Sequence, residues 1–171
     1  MQEVFKPNFS TSTYYFLGAI LMIPFLTFLV VLYFASKERD AITLMIGGIA
    51  CIPVILLFCF YIVIYHAMRY NLQEKELILK CGPFSSKIQY EEIKKIDKVG
   101  DLGYAPVGIM RFPNFLLGSV YFSKYGWITM FATNYKNVLL IETDKKHYGI
   151  TPKDEEGFLR ILNERLKEGG R

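Results

Sequence analysis

Residues Val138–Leu162 read VLLIETDKKHYGITPKDEEGFLRIL. The first half holds two short runs rich in Val, Leu, Ile and Tyr, separated by Asp144-Lys145-Lys146. In the second half Phe158, Ile161 and Leu162 fall at helical spacing, and Leu166 continues the stripe. The pattern is strand, tight turn, strand and then one amphipathic helix. Thr151-Pro152-Lys153-Asp154 supplies a helix start, with Thr as N-cap, Pro at the first helical position and acids in the first turn. Gly169-Gly170 ends that helix.

Upstream, the same grammar of short runs and turn residues extends back to Arg69. Arg69–Leu72, Glu76–Cys81 (ended by Gly82-Pro83), Lys87–Tyr90, Ile93–Val99, Gly118–Ser123 and Trp127–Thr133 each read as strands. Lys124-Tyr125-Gly126 and Asn134–Asn137 are connections of hairpin length. About seven short strands at this spacing predict an antiparallel sandwich or barrel, closed by the C-terminal helix.

Before Arg69 the grammar changes. Tyr14–Phe34 and Ile42–Tyr65 are uncharged and strongly apolar, joined by the short charged connector ASKERDA. A helix of about 20 apolar residues spans a bilayer core, so the two runs predict a transmembrane hairpin with helices at about 14–34 and 42–65. A cleaved leader fits poorly, because the first run is long and no small-x-small site follows it. Pro24 and Pro53 predict bends, and Gly47, Gly48, Ala50 and Cys51 a small-residue patch for close helix approach. Lys6, Arg69, Lys75 and Lys80 flank one side, against Lys37 and Arg39 in the connector. That bias places both termini in the cytoplasm, beneath a plasma membrane crossed twice. The expected organisation is therefore a tail and hairpin over 1–68 and a cytoplasmic β domain over 69–171.

Charge divides at the same point. Of the 171 residues, the first 68 carry only Glu3, Lys6, Lys37, Glu38, Arg39 and Asp40, so the net +4 belongs to the rest. A balance this modest speaks against nucleic acid as a partner. Three cysteines, two of them in apolar runs, speak against a disulfide scaffold.

The segment RFPNFLLGSVYF…WITMFATNYKNVLLIETDKKHYGITPKDEEGFLRIL resembles the bacterial pleckstrin-homology-like (PH-like) proteins. The matching features are Arg111, Pro113 and Asn114, Gly118 at a strand start, Phe131–Thr133, and the run from Tyr148 to Phe158; RYNLQEKELILKCGPF resembles the start of such domains. In particular the chain resembles the group that joins two membrane helices to one PH-like domain. The resemblance implies an α+β chain: a two-helix transmembrane hairpin, then a PH-like antiparallel barrel or sandwich capped by its C-terminal helix.

No catalytic arrangement emerges from the residues. His66 and His147 lack ligand-spaced partners, Ser85-Ser86 falls in an expected turn without a base, and Glu91-Glu92 would point to opposite faces of a strand. A non-enzymatic module without cofactor or metal is expected. Two binding readings remain. Val99–Leu117 forms a long Gly/Pro/aromatic connection, in which Tyr104, Met110, Arg111, Phe112, Asn114 and Phe115 are candidates for docking a protein partner or a second copy. Alternatively, Lys94, Lys95 and Lys98, with Lys145 and Lys146, would meet anionic lipid headgroups. The first hairpin, Gln73-Glu74-Lys75 followed by Glu76, lacks the basic signature with which eukaryotic PH domains hold inositol lipids.

Overall fold

The computed structural model describes residues 3–9, 11–38, 41–102, 107–112, 115–134 and 136–169. The chain folds as two compact units: Thr11–Val63, and a second formed by Met1–Ser10 together with Ile64–Arg171.

The first unit is helical. Helix α1 spans Thr11–Glu38 and α2 spans Ala41–His66, the last turn of α2 (64–66) belonging to the second unit. Many of their described large side chains are exposed and apolar, among them Met22, Phe25, Leu29, Ile52, Leu56 and Val63. Thr27 turns its hydroxyl back onto the Ile23 carbonyl at 2.9 Å, which satisfies it within the helix. Among the described residues no helix is long and apolar enough to cross a membrane.

The second unit is two sheets and one helix. Strands β1 (Glu3–Phe5), β2 (Met68–Leu72), β3 (Glu76–Cys81) and β4 (Phe84–Gln89) form an antiparallel sheet in that order. A single 3-10 turn, Tyr90–Glu92, leads to β5 (Ile93–Asp101), β6 (Val107–Phe112), β7 (Phe115–Phe122), β8 (Gly126–Ala132), β9 (Lys136–Thr143) and β10 (His147–Ile150), and α3 (Glu155–Gly169) ends the unit. The second sheet has the order β5-β9-β10-β8-β7-β6.

Alternation builds the first sheet: Met68, Tyr70, Leu72, Leu77, Leu79 and Cys81 turn inward, and polar neighbours turn out. Gly82 has φ +57° and Pro83 follows it, so the β3–β4 hairpin takes its positive φ at the first central position, the only one of the two that Pro leaves free. In the second sheet Val138, Leu139, Leu140 and Ile141 are all buried in succession. A strand inside a sheet covered on both faces requires such a run. One face carries a cluster of Val99, Val120, Ile128, Met130, Val138 and Leu140. The helix buries Phe158 and Leu162, and the Phe158 ring meets Phe5 edge-on at 5.4 Å.

Several expectations are corrected. Among the described residues the β domain after α2 has nine strands rather than about seven, β1 adds a tenth, and the unit is not wholly antiparallel, because β10 pairs parallel with β8. Asn134–Asn137 therefore closes no hairpin; β10 lies between β8 and β9. The connector crosses two strand spacings, about 10 Å, a reach that three extended residues can make. Gly149 makes the insertion possible: a Cβ there would overlap the Met130 thioether and touch Val138 at 3.4 Å.

Residues 3–9 are no tail. Glu3–Phe5 pairs antiparallel with β2, and Pro7 bridges to Pro152. Asn8 N–H donates to the Thr151 carbonyl at 2.8 Å, and Lys153 N–H to the Lys6 carbonyl at 2.9 Å. Nor is Thr151 the helix cap. Helix α3 begins at Glu155, and Asp154 caps it by accepting the Gly157 N–H on its side chain at 3.0 Å.

Candidate functional site

The expected docking connection Val99–Leu117 is largely strand. Its first residues extend β5 to Asp101, and Val107–Phe112 forms β6, paired with β7. Tyr104 and Asn114 lie outside the described residues, as do the side chains of Met110, Arg111 and Phe112. Phe115 opens β7 and is fully buried, its ring 5.7 Å from that of Tyr65. It offers nothing to a partner in this fold and serves as core.

Four of the five candidate headgroup lysines are engaged with carboxylates. Lys94 Nζ lies 2.6 Å from Asp144, Lys95 2.8 Å from Asp97, Lys98 2.7 Å from Glu155, and Lys145 2.7 Å from Glu92. Hydrogen bonds to those carboxylates hold the ammonium groups of Lys94, Lys95 and Lys145 above the ordinary lysine range. A lysine already paired adds little net field for an anion.

A different surface comes together on one face of β7 and β8, buried at one end and exposed at the other. Strand alternation aligns Leu117, Ser119 and Tyr121 beside Phe131, Thr129 and Trp127. At one end Tyr121 and Trp127 stand directly opposite, edge to face at 5.5 Å, and Trp127 is 59% exposed. At the other end Leu117 and Phe131 floor a cavity of about 430 Å³, walled by Pro83, Phe84 and Ser86. The sheet register explains it. Phe84 and Ser86 turn to the same side as Cys81 and Leu79, the side that elsewhere packs as core. A serine stands where an apolar residue would complete the packing, and Phe84 stays 45% exposed. The flank of the sandwich beside β4 is open, and β4 is itself an edge strand.

Sequence reasoning missed this surface. Trp127 and Tyr121 sit in runs that alternate as any half-buried strand does, and only the pairing register shows them as neighbours. The lone Trp of the chain, flanked by Gly126 and Ile128, was the available signal. Ser85 and Ser86 lie in β4 rather than in a turn, and Glu91 and Glu92 lie in the 3-10 turn rather than in a strand. Among the described residues no cluster of three His, Cys, Asp or Glu is placed to hold a metal ion.

Comparison with protein families finds one model, described as a bacterial PH domain, that matches residues 68–166. No curated protein and no solved structure matches the chain.

Proposed function

The chain belongs to the bacterial PH domain family, and from that premise we propose that it is a non-enzymatic interaction module, tethered by its two N-terminal helices at the inner face of the plasma membrane. Tethering is supported by the uncharged runs at 14–34 and 42–65 and by the apolar side chains exposed along both helices. A helix apolar on every side suits lipid better than water. The flanking Lys6, Arg69, Lys75 and Lys80 favour cytoplasmic termini.

The observation that carries the interaction reading is the exposed Tyr121–Trp127 pair with the open slot in line behind it. Exposed Trp and Tyr are the residues that most often anchor protein interfaces. Phe115 packs on Tyr65 near the end of α2, and Tyr121 lies six residues further along β7, roughly 20 Å at strand rise. The pair thus stands at the far end of the sheet from the helix terminus. The occupant is a protein partner or a second copy of the chain.

The test is site-directed cross-linking in membranes. A photoreactive residue at position 127 should form a protein adduct, and one at Lys87, on the outward face of β4, should not. Trp127→Ala should remove the partner without lowering the melting temperature. An adduct pattern indifferent to position would sink the reading. So would recovery of the full chain, without detergent, in the supernatant of a membrane extraction, which would remove the tether.

A further inference from the structure

Among the described residues lies a second cavity that neither the aromatic surface nor the paired lysines use. It occupies about 380 Å³ on the outward side of the first sheet, lined by Val4, Ala67, Arg69, Asn71, Lys80 and Gly82. Arg69 and Lys80 are directly opposite each other in the β2–β3 register. Like charges in that position destabilise a strand pair, so an acid would be expected beside them. No carboxylate lines the cavity, and among the described residues neither side chain forms an ion pair. Elsewhere in the domain Lys87, Lys94, Lys95, Lys98 and Lys145 each hold a carboxylate within 3.6 Å. Asn71 lines the same wall.

Position adds the second argument. Arg69 follows His66, the last residue of α2, by three residues. A Cβ on Gly82 would sit 3.3 Å from the Ile64 side chain, so the cavity borders the final turn of α2. The geometry points to a phosphate-ester site in which Arg69 and Lys80 clamp a phosphate oxygen pair. Arg is suited to the bidentate part of that contact, and Lys supplies a point charge. The phosphate comes either from an anionic lipid headgroup beside α2 or from a soluble phosphate ester. The site is separate from the proposed partner surface and does not depend on it.

The experiment uses the full chain in neutral detergent, with phosphatidylglycerol, phosphatidylcholine and free glycerol phosphate as probes. Lipid retention is read by native mass spectrometry, and free phosphate binding by thermal shift and calorimetry. Phosphatidylglycerol should be retained over phosphatidylcholine. Arg69→Gln/Lys80→Gln should weaken that retention roughly thirtyfold, about fivefold for each cation at a membrane surface. The control Lys94→Gln/Lys95→Gln/Lys98→Gln should leave it unchanged. Glycerol phosphate binding lost in the double variant, with no preference among lipids, supports the site with a soluble ester as its ligand. Should the double variant prove unstable, Lys80→Gln alone, on an exposed side chain, carries the same test with a smaller change. Retention equal in the double variant and the parent overturns the proposal, as does the absence of binding by either probe. Failure of the membrane tether would leave the soluble-phosphate arm intact.

Discussion

At the scale of the residue, Thr151 shows how much a single side chain can join. Its Oγ1 accepts the buried Thr133 N–H at 3.0 Å, its own N–H donates to the Tyr70 hydroxyl at 3.3 Å, and its carbonyl accepts Asn8 N–H at 2.8 Å. Tyr70 in turn donates to the Phe131 carbonyl at 2.6 Å, and Thr133 donates its hydroxyl to the Asn8 carbonyl at 2.7 Å. Three segments far apart in sequence meet there. Replacing Thr151 by Val keeps the shape but leaves the Thr133 amide without its acceptor, at about 1–3 kcal/mol. The expected result is a melting temperature several degrees lower for Thr151→Val, with Thr151→Ser near the parent; an unchanged Val variant would mean that the junction contributes nothing. In sequence the same threonine, followed by proline and acids, reads as a helix cap. That reading failed because Asp154, one residue before the helix, meets the same capping need and is not tied elsewhere by a buried bond.

At the scale of the element, the N-terminal segment is the least expected feature. Strand β1 adds an edge to the first sheet and lets Phe5 cover Phe158 of α3, and residues 6–8 bridge to 151–153. The family match begins at residue 68, so this strand lies outside it. Deleting residues 2–9 removes one strand, the hydrogen bonds of Lys6 and Asn8 to Lys153, Thr151 and Thr133, and the ring contacts of Phe5 and Phe9. The deletion is expected to lower the melting temperature of the β unit and to raise amide exchange in β2, whose edge it uncovers. Protection of β2 at the parent level would contradict that role. Three residues of strand, EVF, carry too little periodicity to be recognised before their partner is known. The longer elements were legible because β3, β7 and β9 have alternation or apolar runs that only a strand satisfies. The parallel placement of β10 was not, since four residues pair equally well on either side until Gly149 meets Met130.

At the scale of the whole molecule, proton binding gives a collective test. Burial pushes the Cys81 thiol from 9.0 up to about 12 and the Tyr90 phenol from 10.0 up to about 12, and it raises Tyr70 as well. Each group holds its proton more tightly when folded. Its contribution is complete below the unfolded value and is lost as pH rises toward the folded one. Lys94, Lys95 and Lys145, raised by their carboxylate partners, act in the same direction. Stability should therefore decline from about pH 9, where Cys81 would ionise if unfolded, and more steeply above pH 10 as the tyrosines and lysines join. Melting curves between neutral pH and pH 11 check this, and Cys81→Ala should delay the onset. A flat profile through that window would show that these groups are not shielded as the fold places them.

Local chemistry along the chain determined a great deal by itself. The apolar runs set the two helices, turn residues and alternation set most strands, and the apolar stripe set α3, because each depends on neighbours within a few positions. The bacterial PH resemblance likewise rests on contiguous residues, and the family match covers the same region. Only the tertiary structure decided which charges are free. Lys94, Lys95 and Lys98 look like a basic patch in sequence but each meets an acid brought by the β9–β10 turn, by α3 or from within β5, whereas Arg69 and Lys80, eleven positions apart, become an unpaired couple through register alone. Likewise Trp127 and Tyr121 become one surface, and Phe115 becomes core, through pairing. Periodicity is a property of the chain, but charge pairing and exposure are properties of what the fold sets beside each residue, and no local pattern contains that information.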